Sequence, residues 1–180
     1  MKKILIATIL LIGIIGNTQA QSYYRQAVGL RINNGYGGLT YKYFTSNSKA
    51  LDLTLNIAFE SGIGLTGLCE IHKTTGFVPR LSWYYGYGAH AFLGGKGDGS
   101  TISLGVDGVL GLEFVASEIP FAFSLDYIPS LSLINTSAGE GDTSFEGNFS
   151  NWTFGIKYTF IKSDLENKRK EVIKKESSPK

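Results

Sequence analysis

Histidine and cysteine, the commonest ligands of zinc, are scarce in this chain of 180 residues. Its two histidines are His72 and His90, and its single cysteine is Cys69. Glu70 lies two residues before His72 and could share a strand face with it, but a zinc site needs a third and usually a fourth ligand. A lone cysteine also excludes an internal disulfide framework. The sequence therefore predicts no metal site.

A serine, a histidine and a carboxylate could together form a nucleophilic site. Ser82, His90 and either Asp107 or Asp126 would make such a triad on paper, with the histidine taking the proton of the serine hydroxyl. Serine is common on the polar positions of this chain for reasons of size alone, and neither histidine is part of a His-x-Ser arrangement. We therefore expect no enzyme, and we keep a lipid hydrolase as the alternative.

A glycine-rich string at 62–67 (GIGLTG) matches the dinucleotide-binding fingerprint letter by letter. The fingerprint needs a helix after it, whose N-terminus meets the pyrophosphate. Here the string begins a strand-like segment, so small residues that relieve crowding are the better interpretation. The glycine-rich stretches 94–100 and 139–142 carry carboxylates but lack the twelve-residue ligand pattern of a calcium loop. We predict no cofactor.

The first twenty residues have the pattern of a secretory signal peptide. Lys2 and Lys3 precede an apolar run at 4–16, and small residues lead up to Ala20. The run is short for a membrane span of about 20 residues. We expect residues 1–20 to be a signal peptide, with an N-terminal membrane anchor as the alternative. The mature chain is then expected to work outside the cytoplasm.

The net charge of +2 conceals an uneven distribution. Residues 21–160 carry eight basic and eleven acidic side chains, a net charge of −3. A domain with a net negative charge binds nucleic acid poorly, because such binding depends on neutralising phosphates. Residues 161–180 carry seven basic and four acidic side chains. They are expected to form a short, solvated, charged periplasmic tail after the folded domain 21–160, with contact to a periplasmic partner as the alternative.

Between these two segments the dominant pattern is a period of two residues, punctuated by Gly, Asn, Asp, Ser and Pro. Eight segments stand out, joined by short links and by longer ones at 94–100 and 135–147. The predicted strands are 25–33, 38–45, 50–60, 62–73, 80–93, 101–114, 120–134 and 148–160.

One face of these strands is continuously apolar and rich in Tyr, Trp and Phe near strand ends, as at Tyr43, Trp83 and Phe160. The other face has small residues and nearly all the charge, Lys73 at a strand end being the exception. The charges on the polar face are Arg25, Arg31, Lys42, Asp52, Glu60, Glu70, Arg80, Asp107, Glu113, Asp126 and Lys157.

This alternation fits two kinds of barrel. A soluble, secreted lipocalin-like barrel would turn its apolar face inward. The aromatic enrichment at strand ends, and a polar face of small residues and opposite charges, favour the inverted arrangement, in which the apolar face meets lipid. Closing an even number of antiparallel strands pairs every backbone group, as lipid requires. We predict an all-β fold, a closed antiparallel up-and-down transmembrane β-barrel of about eight strands.

The chain resembles the small eight-stranded outer-membrane β-barrel proteins of Gram-negative bacteria. The stretches that carry the resemblance are 38–44 (GLTYKYF), 83–90 (WYYGYGAH), 107–113 (DGVLGLE), 119–120 (IP), 124–129 (SLDYIP) and 155–160 (GIKYTF). The resemblance implies a location in the cell outer membrane, contact with its lipid, and recognition of Phe160 by the barrel-assembly machinery. This chain departs from the usual pattern in continuing for twenty residues beyond Phe160.

Charges that face the inside of so narrow a barrel must pair. The predicted lumen network consists of Arg31, Lys42, Asp52, Glu70, Asp107, Asp126 and Lys157. It is interpreted as a salt-bridge plug that closes the lumen, which favours a structural or surface-interaction role. A narrow pore for small solutes is the alternative.

The two longest connections fall on the side that faces outward if both termini are periplasmic. Any recognition of an extracellular ligand is expected there. The exposed groups would be Lys96, Asp98, Glu140, Asp142, Phe145 and Glu146.

Overall fold

The computed structural model describes residues 23–33, 35–58, 62–76, 78–95, 101–137 and 146–161. The segments predicted as signal peptide and as tail lie outside the described residues, except for Ile161, which ends the last strand. The strands are β1 (Tyr24–Ile32), β2 (Tyr36–Phe44), β3 (Lys49–Ala58), β4 (Gly62–Thr74), β5 (Leu81–Gly94), β6 (Thr101–Val115), β7 (Phe121–Tyr127), β8 (Ser130–Ser137), β9 (Glu146–Asn148) and β10 (Trp152–Ile161). Among the described residues, no helix has the length and apolar character needed to cross a membrane.

Eight of the strands close into an antiparallel barrel. They follow the order β5-β4-β3-β2-β1-β10-β7-β6, and the pairing of β6 with β5 completes the circuit. This confirms the predicted fold class, a closed antiparallel all-β barrel of eight strands. We call the end at which β1, β3 and β5 finish the upper end, and the end at which they begin the lower end.

The predicted strand 120–134 is interrupted, and in this respect the prediction was wrong. It divides into β7, which pairs with the lower part of β6, and β8, which pairs with the upper part. Pro129 lies at the division, and it has no backbone N–H to donate to a sheet. The carbonyl of Pro129 still accepts a hydrogen bond from Gly108 N at 2.9 Å, so the chain stays attached to β6.

The end of the chain departs from prediction in a similar way. Of the predicted strand 148–160, only the first residue, Asn148, belongs to β9, which pairs with β8 outside the closed circuit. The barrel strand β10 begins at Trp152, after three residues that are not in a strand. The predicted loop 135–147 was also too long, because β8 extends to Ser137 and β9 begins at Glu146. The glycine-rich string 62–67 lies within β4, as predicted from its context.

Burial alternates along the strands, as in the run from Leu51 to Leu55, where every second side chain is buried. Arg25 is an exception to the predicted parity. A bulge between Tyr24 and Gln26 turns Tyr24 inward and leaves Arg25 exposed, where it donates to Tyr43 Oη at 3.0 Å. Lys73 lies on the apolar parity, and its ammonium group lies over the Trp83 ring.

Candidate functional site in the barrel lumen

Six of the seven charges predicted for the lumen network meet in the lower half of the barrel, together with Glu113. We call this set the charge layer: Arg31, Lys42, Asp52, Glu70, Glu113, Asp126 and Lys157. Each of these side chains is buried, with 2% or less of its surface exposed. Glu113 has the same inward parity but was left out of the predicted network. Asp107 lies elsewhere in the lumen.

Lys42 is the cation with the most carboxylate partners in the charge layer. Its Nζ lies 2.7 Å from Glu70 Oε2, 3.0 Å from Glu113 Oε2 and 3.8 Å from Asp52 Oδ2. The same ammonium group lies over the Tyr84 ring, 4.4 Å from its centroid. One cation therefore joins carboxylates contributed by three different strands.

Asp52 and Arg31 form the second centre of the layer. Arg31 Nη2 lies 3.3 Å from Asp52 Oδ2 and 3.1 Å from Asp126 Oδ2. Lys157 Nζ approaches Asp52 Oδ2 at 3.6 Å, and Thr40 donates to Asp52 Oδ1 at 2.7 Å. Asp52 on β3 thus has partners on β1, β2 and β10, which compensate a buried carboxylate.

Aromatic side chains complete the layer. Tyr24 donates to Glu113 Oε1 at 2.8 Å, and Tyr84 donates to Asp126 Oδ1. His72 Nε2 lies 2.9 Å from Glu70 Oε2, and its ring stacks on Tyr84. These aromatic groups were not part of the predicted network, although inward parity places both His72 and Tyr84 in the lumen.

Beneath the charge layer, the lower end of the lumen is apolar. A buried cluster there comprises Tyr24, Ala27, Phe44, Ala50, Val115 and Ala122. The charge layer and this cluster together fill the lower half of the lumen with buried side chains.

The upper half of the lumen contains a cavity of about 370 Å³, which we call the upper cavity. Arg31 lies at its boundary with the charge layer, and Asn56, Thr66 and Asn148 are among the uncharged polar residues that line it. Asp107 and His90 also line it, and they form a pair separate from the charge layer: His90 Nδ1 lies 2.8 Å from Asp107 Oδ1. The predicted lumen network therefore divides between two levels.

The predicted loop groups fall mostly outside the described residues: these are Lys96, Asp98, Glu140, Asp142 and Phe145. Glu146 is described. It is exposed, begins β9 and lines the upper cavity. Phe160 lies on the outer face near the lower end of β10 with 47% of its surface exposed.

The outer face of the barrel is apolar on all eight strands of the closed circuit. Large aliphatic side chains in the middle of the strands are about half exposed, for example Leu30 (56%), Leu55 (46%) and Leu112 (46%). Aromatic side chains concentrate at the lower strand ends. This group comprises Tyr43, Trp83, Tyr85, Phe114, Phe121, Tyr158 and Phe160.

Comparison of the chain with protein-family models, with curated proteins and with solved structures found no match.

Proposed function

We propose that this chain is an integral outer-membrane β-barrel protein with a structural or surface-interaction role. The apolar outer surface carries the proposal. Soluble monomers rarely expose a contiguous apolar patch of more than a few hundred Å², whereas here every strand of the closed circuit contributes half-exposed large apolar side chains. In water such a surface would be a severe liability, and in a bilayer it is the required one.

The inside of the barrel supports the same proposal. Most soluble barrels bury apolar residues and expose charge, whereas this barrel buries seven charged side chains in one layer. Seven of the eight barrel strands have nine to fifteen residues, β7 with seven being the exception. Such lengths suit a tilted crossing of a bilayer, which takes about 9–11 residues. Aromatic side chains at the lower strand ends match the interfacial girdle of such barrels.

The blocked lower half favours a filled barrel over a narrow pore. An ion crossing the barrel would have to separate Lys42 from Glu70 and Glu113, at sites where the charge layer excludes water. Breaking buried pairs of this kind costs several kcal/mol, roughly 3–5 for one partner. The lumen is therefore closed in the resting protein, and the upper cavity ends at Arg31.

Planar-bilayer recording on the folded protein tests this role. We expect no conductance steps from wild-type protein, and we expect leak currents from Lys42→Ala, which removes the central cation of the plug. Regular conductance steps from the wild-type protein would establish the narrow-pore alternative.

Surface labelling tests the orientation. An epitope inserted after Gly139 should bind antibody on intact cells, and one added after Lys180 should bind only after the outer membrane is opened. The reverse pattern would overturn the proposed orientation.

A further inference from the structure

Three side chains of the upper cavity are arranged as a nucleophile, a base and an orienting acid. His90 Nδ1 lies 2.8 Å from Asp107 Oδ1, and His90 Nε2 lies 3.4 Å from Ser132 Oγ. The three residues come from β5, β6 and β8, three strands that neighbour one another in the sheet. This is the order of contacts in a Ser-His-Asp triad.

The hydrogen-bond directions are consistent with a hydroxyl ready to be deprotonated. Asp107 accepts from His90 Nδ1–H, which leaves Nε2 as the acceptor. Ser103 Oγ donates to Ser132 Oγ at 3.0 Å, so the single hydroxyl hydrogen of Ser132 remains available for His90 Nε2. The contacts therefore run from Ser103 through Ser132 and His90 to Asp107, and each donor has an acceptor.

Two local features of β6 place these groups. The register between β6 and β8 shifts between Leu104 and Gly105, which sets Ser132 opposite Gly105. Bulges of this kind often redirect side chains near active sites. Gly105 also makes room for the imidazole, because a Cβ at this position would lie 2.5 Å from His90 Cε1.

A second observation points to a ligand in the same place. Asp107 is 3% exposed in its side chain, yet its Oδ2 has no hydrogen-bond partner among the described residues. Buried carboxylate oxygens are normally satisfied. This unpartnered atom belongs to a residue that lines the upper cavity, as do His90 and Ser132.

We propose that the upper cavity is the active site of an acyl hydrolase that cleaves carboxylic esters with short acyl chains. Ser132 is the nucleophile, His90 the general base and then acid, and Asp107 the group that holds the imidazole. This assignment replaces Ser82 of the triad considered from sequence. Ser82 lies eight residues from His90 along β5, roughly 26 Å at about 3.3 Å per residue, and its hydroxyl donates to the Glu113 carbonyl.

The reaction balances with water as the co-substrate. Ser132 Oγ bonds to the ester carbonyl carbon while its proton passes to His90 Nε2. The carbon–oxygen bond to the alcohol then breaks, and the alcohol leaves with that proton. Water repeats the sequence on the acyl-serine, losing a proton to His90, and releases the carboxylic acid and free Ser132.

The cavity limits the substrate. At about 370 Å³ it is near the lower end of the range for small-molecule sites, about 300–1,000 Å³. Ser132 faces this inner space, whereas the long apolar surfaces of the protein are on the outside. A short acyl group fits within the barrel, and a lipid acyl chain does not.

The test uses the full mature chain folded in detergent micelles, with p-nitrophenyl acetate, butyrate and palmitate as substrates and a fluorophosphonate as the covalent probe. We expect hydrolysis of acetate and butyrate, and one probe adduct that peptide mapping places on Ser132. Ser132→Ala and His90→Ala should lose the adduct, and Asp107→Asn should slow hydrolysis at least a hundredfold. Ser82→Ala is the matched serine control and should keep the wild-type rate.

The heat-dependent gel mobility of each variant reports whether its barrel is closed. A closed wild-type barrel without adduct or hydrolysis would overturn the proposal, and so would a closed Ser132→Ala barrel with the wild-type rate. Faster hydrolysis of the palmitate ester than of the acetate and butyrate esters would overturn the assignment of the upper cavity as the acyl-binding site. These assays need only the closed barrel, so their failure would leave the proposed outer-membrane role unaffected.

Discussion

The lower and upper halves of the lumen accommodate their inward-facing polar side chains in different ways. Both are lined by the inward, polar parity of the strands. In the lower half, the basic and acidic side chains of the charge layer pair with one another, and Tyr24 and Tyr84 donate hydrogen bonds to two of the carboxylates. All seven charged side chains of the layer are buried. In the upper half the lining is mostly uncharged, and space remains at one isolated acid–histidine pair. The difference assigns stability to the lower half, and it leaves the upper half as the place where we propose binding and reaction.

Removing the central cation of the charge layer should have the largest effect. Lys42→Met leaves Asp52, Glu70 and Glu113 buried without their shared partner, and we expect a loss of about 3–5 kcal/mol in the free energy of unfolding. Urea titration of the protein in micelles measures this free energy of unfolding. Lys49→Met, at an exposed lysine, is the control and should change stability by less than about 0.5 kcal/mol. Equal losses would show that the charge layer is not a stability centre.

A charge on the outer face should have the next largest effect. Leu104 is 41% exposed and is the fourth residue of β6 from its upper end. Leu104→Arg should cost about 2–4 kcal/mol on folding into lipid vesicles if residue 104 lies near the bilayer midplane, and less if it lies closer to the interface. Leu104→Phe should fold normally. Folding of Leu104→Arg with wild-type yield and stability would mean that this face lies in water.

Two glycines of β6 allow a finer comparison between the charge layer and its surroundings. A Cβ at Gly111 would lie 2.6 Å from Asp126 Oδ1 and 2.5 Å from the Tyr84 ring, so Gly111→Ala should lose about 1–3 kcal/mol by overpacking. At Gly108 the nearest atom would be Pro129 Cγ at 3.4 Å, which is ordinary contact. Chemical unfolding should therefore show little change for Gly108→Ala, and a similar loss for both variants would contradict the tight packing of the layer.

The smallest effect is expected in the upper cavity. Asn56 donates to Thr66 Oγ1 at 2.9 Å and, over a longer 3.4 Å, to the Thr54 carbonyl, and it lines open space. Asn56→Ala should therefore lose only about 0.5–1.5 kcal/mol, roughly the contribution of one short hydrogen bond. A loss as large as that of Lys42→Met, in the same urea titration, would remove the distinction between the two halves.

The closed barrel could be predicted from the sequence because apolar and polar side chains alternate along every barrel strand. Parity alone placed Arg31, Lys42 and Asp52 inside. The bulge at Tyr24 and Gln26 could not be foreseen, because no glycine or proline marks it, and so Arg25 was placed on the wrong face. The division at Pro129 did carry a signal, the missing backbone donor, and it could have been predicted.

The candidate triad lay beyond sequence reasoning for a different reason. Parity places Ser132 and His90 in the lumen, but many serines share that parity. Their contact depends on the cross-strand register of β8 with β6, which shifts at Gly105. Register follows from pairing and bulges rather than from local composition. The structure is therefore needed to prefer Ser132 over Ser82.

Folding of residues 21–180 into lipid vesicles is the most direct test of the proposal that this closed barrel, with its apolar outer face, spans a membrane. The measurement is gel mobility of the vesicle-bound protein with and without boiling, alongside its sedimentation with the vesicles. We predict that the protein sediments with lipid and that unboiled and boiled samples migrate differently. Membrane insertion would be contradicted if the protein stayed monomeric in buffer without detergent, did not sediment with the vesicles and migrated identically in boiled and unboiled samples.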